Sequence, residues 1–238
     1  MKSTDNYKKH THKNPIQRLL LWNFFRHLVN LASLKKVDSI LDVGCGEGFT
    51  LNRLREHRIG TKLEGLEYSK DAIELGKKTY PDIKITQGSI YKLPYKNNSF
   101  DLVLCTEVLE HLEEPEKALK ELVRVSKKYL VISVPNEPFF MFAQLVRGKN
   151  WSRFGNDIEH INHWTMFGFP KFVERVLNEE GAESSEANPT SPRFQGIACS
   201  FGKIKRSFQN KRRGIKKNNI KIISRRFPFA WTMIVLEK

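Results

Sequence analysis

Two groups of residues in this 238-residue chain have types and spacing suited to chemistry. The first is Ile40-Leu41-Asp42-Val43-Gly44-Cys45-Gly46-Glu47-Gly48-Phe49-Thr50, an apolar run that ends in three glycines at alternate positions. Glycines let the main chain approach a ligand with no side chain in the way. A helix that starts just after them offers unpaired N–H groups and the positive end of its dipole. Dinucleotide-binding loops favour G-x-G-x-x-G, which leaves room for a pyrophosphate. Here the spacing is G-x-G-x-G, and Asp42 stands two residues upstream of Gly44. An acid that close repels a pyrophosphate and suits a ligand with an ammonium or sulfonium charge. A second acid, Glu67, falls at the end of the next apolar run, about where a ribose-binding carboxylate belongs. A carboxylate there can accept hydrogen bonds from both ribose hydroxyls. The plainer alternatives are a glycine-rich turn and an ordinary surface acid.

The second group is histidine-rich. In Glu107-Val108-Leu109-Glu110-His111 the two acids and the imidazole stand at i, i+3 and i+4. On a helix they share one face, with Leu109 and Leu112 turned the other way. Such a set suits a hard divalent ion such as Mg²⁺; the alternative is two solvated acids beside a packed or capping histidine. Further on, Glu159-His160-Ile161-Asn162-His163-Trp164-Thr165 places two histidines three apart. His163 is a candidate base or fourth ligand, and His111 a second candidate base, since imidazole is the commonest proton acceptor near neutral pH. A metal set would be Glu107, Glu110, His111 and His163. Both histidines of the second segment can instead satisfy loop carbonyls. Asn136 is a further polar candidate for a pocket.

The elements that must position these groups alternate. Ser39–Val43, Lys62–Glu67, Ile83–Thr86, Phe100–Cys105 and Tyr129–Val134 read as strands. Phe49–His57, Lys70–Tyr80, Glu107–Leu112 and Pro115–Ser126 read as the helices between them. That rhythm predicts a parallel sheet with helices on both faces. Residues 136–165, rich in Phe and Trp, read as an insertion or lid; Phe139, Phe140, Phe142, Trp151 and Phe154 supply its apolar side chains. Gly168–Gly181 returns to helix, 182–226 has no clear period, and Ala230–Glu237 closes the chain as a strand. Before all of this, 15–36 is a basic amphipathic helix with Ile16, Leu19, Leu20, Phe24, Leu28 and Leu31 on its apolar face, which Trp22 and Phe25 broaden. It packs over the core or, as the lesser reading, lies on an anionic membrane. The domain division is thus 1–36 as a basic segment with a capping helix, and 37–238 as one catalytic or binding domain.

The formal net charge of +15 is unevenly spread. Residues 1–36 carry +7, 200–226 carry +11, and 37–199 carry −3. A mildly acidic core with basic attachments differs from a protein coated for nucleic acid throughout. No window approaches 18 uncharged apolar residues, which excludes an ordinary spanning helix. The polar opening MKSTDNYKKHTHK lacks the apolar stretch of a secretory signal. Cys45, Cys105 and Cys199 fit neither a disulfide framework nor a zinc spacing, so a reducing cytoplasm is expected.

Leu41-Asp42-Val43-Gly44-Cys45-Gly46-Glu47-Gly48 resembles the first motif of class I S-adenosylmethionine-dependent methyltransferases. Gln87-Gly88-Ser89-Ile90, Leu93-Pro94-Tyr95, Ser99-Phe100-Asp101-Leu102-Val103 and Glu107-Val108-Leu109-Glu110-His111-Leu112 resemble later landmarks of the type 11, quinone-biosynthesis O-methyltransferase-like group. The resemblance spans about 38–135 in order. It implies a Rossmann-like, doubly wound, mostly parallel seven-stranded sheet whose last strand is antiparallel. It also implies S-adenosyl-L-methionine as cofactor. The backbone of Gly44, Cys45, Gly46 and Gly48 would hold the methionine part, with Asp42 ordering the loop. Glu67 would hold the ribose, Tyr68 would lie beside the adenine, and Ser89 and Ile90 would flank its edge. Cys105 and Thr106 would offer backbone contacts to the methionine amino group. Ser89 departs from the aspartate many members carry there, and a hydroxyl accepts more weakly. RNA 3′-terminal ribose methyltransferases and quinone-biosynthesis O-methyltransferases resemble the Glu107–Leu112 segment, and a metal role is implied there.

Two acceptor classes follow. One is a small or lipid-like molecule methylated on oxygen, with the basic segments docking the enzyme on an anionic membrane. The other is RNA, with the basic run Lys203–Arg226 tracking phosphates. Its plain alternative is a solvated charged loop.

Overall fold

Successive side chains along the central strands are buried on alternate faces, and this explains the layering. In Phe100–Thr106, Leu102 and Leu104 join one core while Val103 and Cys105 join another. In Trp231–Glu237, Met233 and Val235 face the first and Ile234 and Leu236 the second. A strand buried on both sides needs cover on both sides. The computed structural model describes residues 4–33, 36–146, 154, 160–183, 220–226 and 231–238.

The strands are β1 (Ser39–Val43), β2 (Lys62–Glu67), β3 (Lys84–Gln87), β4 (Phe100–Thr106), β5 (Ser126–Pro135), β6 (Lys221–Arg226) and β7 (Trp231–Glu237). They form a seven-stranded sheet in the order β3-β2-β1-β4-β5-β7-β6. Every pair is parallel except β5 with β7 and β7 with β6, so β7 alone runs against the rest. The fold is therefore the Rossmann-like arrangement the sequence implies. Strand β6 is an addition: the charged stretch LysIleIleSerArgArg pairs with β7 as an edge strand instead of forming part of a basic loop. The rest of the basic run, 203–219, lies outside the described residues, as do Trp151, Glu159 and Cys199.

The helices are α1 (Asp5–Thr11), α2 (Pro15–Ser33), α3 (Phe49–Glu56), α4 (Lys70–Thr79), α5 (Pro115–Val125), α6 (Glu137–Val146) and α7 (Gly168–Glu183). One face of the sheet is covered by α5 and α7, through Leu119, Leu122, Phe169 and Val173. The other is covered by α2, through Phe24, Phe25, Leu28 and Ala32, together with Leu54 of α3. Pro15 opens α2 after Asn14, whose side-chain oxygen accepts from the N–H groups of Ile16 and Gln17. The expected apolar face of this helix is corrected here. Phe24, Phe25 and Leu28 are buried as expected and Ala32 joins them, whereas Ile16, Leu19 and Trp22 are exposed and face away from the core. Helix α2 covers a face of the sheet; the element over the cofactor corner is α1, which the polar sequence 4–11 did not announce. Its cap is Thr4, whose hydroxyl accepts from the Tyr7 N–H.

The segment 107–112 is the second correction. Only Leu109–His111 is helical, as a single 3-10 turn, and Glu107 has φ 57°. Glu107, Glu110 and His111 therefore do not share a helical face. Leu109 enters the core and draws Glu110 inward, while His111 stays exposed.

Candidate active site

The carboxyl edge of the sheet carries two corners. The first lies where β1, β2 and β4 end. Gly44, Gly46 and Gly48 all have positive φ, at 77°, 56° and 89°. At Gly44 a Cβ would stand 2.5 Å from Cγ2 of Val108, and at Gly46 it would stand 2.6 Å from Nδ2 of Asn6. Any larger residue at Gly44 meets both a strained backbone and a packed valine. The loop is pinned to its neighbour strand: the N–H groups of Gly44 and Cys45 donate to the Leu66 carbonyl at 2.8 and 3.2 Å. The Cys45 Sγ lies against the backbone of Gly65.

Glu67 grips this loop. Its Oε2 accepts from the Gly46 N–H at 2.8 Å, and its Oε1 accepts from the N–H groups of Tyr68 and Ser69, each at 2.8 Å. A carboxylate has about four lone-pair sites. Three are engaged by backbone, so one ribose hydroxyl fits directly and a second requires an N–H to give way. Asp42 is the opposite case. It is buried, and neither carboxylate oxygen has a hydrogen-bond partner. Burial, and then the charge of Glu67, push its pKa up to about 7. An orphaned buried acid beside a glycine cradle fits a ligand that brings its own positive charge. These residues thus suit S-adenosylmethionine. Tyr68 is exposed, and Ser89 accepts from the Tyr91 N–H at 3.3 Å. The side chains of Ile90 and Cys105 are in the core, which leaves only their backbone for a ligand. Burial pushes the thiols of Cys45 and Cys105 well above their ordinary pKa, so neither is a nucleophile.

Helix α1 lies over this corner. Thr4 and Asn6 both donate to the buried carboxylate of Glu47, the residue between Gly46 and Gly48. His10 stacks on Phe49 with ring centroids 4.2 Å apart. Burial, then the nearby charges of Lys9 and Arg53, lower the His10 pKa to about 3, so the ring is neutral. Thr4, Asn6 and His10 were missed as site residues because a seven-residue polar helix carries no apolar period. The local signal was Thr4 as a cap.

The second corner is assembled from three segments. Asn162 donates from Nδ2 to the carbonyls of Leu109 and Leu112, at 3.2 and 2.6 Å. The N–H groups of Ile161 and Asn162 donate to the carbonyl of Glu110 at 2.8 and 2.9 Å. This clamps 160–163 onto the 3-10 turn. Asn136 is a brace instead of a pocket group, since its Oδ1 accepts from the Met166 N–H. Glu137, absent from the sequence reading, lies between the two histidines and of these holds His160 alone by a hydrogen bond. Its Oε1 stands 2.7 Å from Nδ1 of His160, and its Oε2 stands 3.7 Å from Nδ1 of His163. The rings of His111 and His160 are 5.0 Å apart. Glu110, His111 and His160 each offer a ligand atom within 4.8 Å of the others. The structure thus brings His160 to Glu110 and His111, where His163 and Glu107 were expected. His163 is half exposed beside Glu137. Glu107 instead accepts from the Ser133 hydroxyl at 2.9 Å and from Trp231. Burial raises the pKa of Glu107 and Glu110, and the Lys9 ammonium opposes the rise in both.

The fold and the glycine-loop corner together resemble those of class I methyltransferases. Residues 41–132 match the family model described as Methyltransferase domain. The chain is 37% identical over 108 residues to an uncharacterized methyltransferase from Schizosaccharomyces pombe, covering 41% of this chain and 39% of that one. It is 29% identical over 163 residues to demethylmenaquinone methyltransferase from Staphylococcus epidermidis, covering 61% and 67%. The chain thus spans about two fifths of the first of these relatives and two thirds of the second. Among solved structures, the PH0226 protein from Pyrococcus horikoshii superposes with TM-score 0.63 at 15% identity over 99% of both chains. The methyltransferase domain of bacterial CtHen1-C gives 0.61 at 16% identity, over 92% of this chain and 98% of that one. At these identities the two structures share the fold.

Proposed function

We propose that the protein transfers the methyl group of S-adenosylmethionine to an oxygen of a small or lipid-like acceptor. The carrying observation is the orphaned Asp42 carboxylate beside the glycine cradle, with Glu67 at the neighbouring strand end. A bound donor supplies an electrophilic methyl on a positive sulfur. Asp42 balances that charge, Glu67 orients the sugar, and the backbone of 44–48 fixes the methionine part. Holding acceptor and methyl in line is the main contribution of such a site, up to about 7–11 kcal/mol by general precedent.

The acceptor hydroxyl must lose a proton as its oxygen takes the methyl and the sulfur leaves as a neutral thioether. His163 and His111 are the exposed imidazoles at the second corner, and His163 receives that proton. Glu137 positions His160 and stabilises the imidazolium that forms on His163. Glu110, His111 and His160 offer one carboxylate oxygen and two imidazole nitrogens, a set that suits a divalent cation such as Zn²⁺ better than the oxygen-seeking Mg²⁺, and such an ion would polarise the acceptor oxygen. The identities of the relatives support small apolar acceptors: one is by name a demethylmenaquinone methyltransferase.

The test supplies tritium-labelled donor. Label is expected in an organic extract; label in RNA would move the acceptor to the other class. Calorimetry should show donor binding by the parent protein, and no binding would bring the proposal down. Full turnover in excess EDTA would remove the cation.

A further inference from the structure

The described residues hide their large apolar side chains well, with a pointed set of exceptions. Ile16, Leu19 and Trp22 of α2 are 68%, 58% and 56% exposed. They stand three apart, on the side of the helix opposite Phe24, Phe25 and Leu28. Helix α2 is thus apolar on two faces, and only one of them meets the sheet. Arg26 lies over the Trp22 ring at 5.1 Å. Arg18, Lys8 and Lys13 are exposed nearby in sequence, and residues 6–37 contain no acid at all.

The place of this face in the fold is as telling as its composition. The amide of Gln17 donates to the Lys9 carbonyl of α1, which sits on the glycine loop. Phe24 packs against Trp231, at the β7 end that pairs with Pro135 of β5. The first turns of α2 therefore stand at the carboxyl edge of the sheet. Phe142 in α6, just past β5, Ile161 and Phe167, on the segment clamped to the 3-10 turn, and Tyr68, just past β2, are further exposed side chains there. No helix among the described residues is long and apolar enough to cross a membrane, so contact with a bilayer would be peripheral.

We infer that the outer face of α2, centred on Leu19 and Trp22 and ringed by Arg18 and Arg26, docks on an anionic lipid bilayer and turns the carboxyl edge toward it. Apolar side chains enter the acyl boundary while the cations meet the headgroups, and the two contributions add. The charge argues for lipid over a second copy of the chain, because two such acid-free faces would repel each other. The inference deepens the function proposed above: a bilayer holds the apolar acceptors that such a crevice would take.

The experiment is sedimentation of the full-length protein with phosphatidylcholine vesicles, with and without phosphatidylglycerol, in the absence of donor. Binding is expected only with phosphatidylglycerol, and it should fall as salt rises. The double variant Leu19→Ser/Trp22→Ser, whose side chains touch neither corner, should bind at least about tenfold more weakly while keeping parental donor affinity by calorimetry. Arg18→Gln/Arg26→Gln should lose the salt-sensitive part. Undiminished vesicle binding by the serine variant, or a parent indifferent to anionic vesicles, overturns the inference. So does light scattering that shows a parental dimer made monomeric by the serine variant. A protein that methylates yet ignores vesicles overturns this inference alone. One that binds vesicles but takes no donor overturns only the proposed function.

Discussion

The glycine-loop corner, proposed above as the donor corner, and the histidine corner, proposed as the acceptor corner, share one edge of one sheet but are built on opposite plans. The donor corner is made by backbone. Three strand ends, a glycine loop and one carboxylate are fixed by N–H groups already committed to Leu66 and Glu67. The acceptor corner is made by side chains. Glu110, His111, Glu137, His160 and His163 come from three segments, held together by Asn162 and the Glu110 carbonyl. A backbone-built corner recognises one constant ligand. A side-chain-built corner can be altered one residue at a time, which suits the part that chooses the acceptor.

The sharpest way to break this comparison is Glu137→Ala. Removing the group between the two histidines should lower kcat by about 10²–10⁴-fold, as expected for loss of proton transfer. Donor affinity by calorimetry should stay parental. A parallel loss of donor affinity would mean that the corners are one unit.

Next in size is Glu67→Ala, which should weaken donor binding by about ten- to a hundredfold. It leaves the Gly46, Tyr68 and Ser69 N–H groups without their acceptor, about 1–3 kcal/mol for each that stays buried. Thermal unfolding should therefore register it as well. An unchanged dissociation constant would sever Glu67 from the donor.

Asp42 gives a pH dependence. Its folded pKa of about 7 lies above the ordinary 3.8, so the folded protein holds a proton that the unfolded chain releases. Its contribution to stability is present below pH 4 and is lost as pH rises toward 7. Asp42→Asn should flatten that slope and raise donor-free stability above pH 7. Donor affinity in the parent should climb with pH until the carboxyl ionises, and the variant should lack that climb. Denaturant melts and calorimetry from about pH 4 to just above pH 7, the window these two pKa values bracket, would check both.

The smallest effect is expected from Glu47→Gln, which keeps a side-chain acceptor for Thr4 and Asn6 but removes the charge. Stopped-flow donor binding should quicken a few-fold in both directions, with little change in equilibrium, because α1 then leaves the loop more readily. Unaltered rates would make α1 a fixed wall.

The same contrast explains what the sequence disclosed. The donor corner was legible because Asp42, the glycines and Glu67 stand in short, contiguous strand-to-turn passages whose local chemistry dictates their shape. The alternation of strands and helices followed from the apolar runs that precede each turn, while the strand order and the antiparallel last strand came from the resemblance. The acceptor corner was legible only as a set of residue types. The i, i+3, i+4 spacing of Glu107, Glu110 and His111 suggested a helical face, yet Glu107 turns through the left-handed region and only one 3-10 turn forms. Glu137 lies inside the stretch 136–165 read as an insertion or lid, where nothing local marks it. Its role appears only when His160 and His163 arrive from a distant segment. Strand β6 was hidden because LysIleIleSerArgArg reads as charged loop, and an edge strand needs only one partner.

The antiparallel β7 has a consequence for how the molecule is made. Residues 231–237 slot between β5 and β6, and Trp231 reaches both Phe24 and Glu107. While the ribosome is still adding earlier residues, β5 has an open side, with Val131 and Ile132 at its centre. Until β7 emerges, the nascent domain therefore exposes an unpaired apolar strand, a template for aggregation that chaperones must cover.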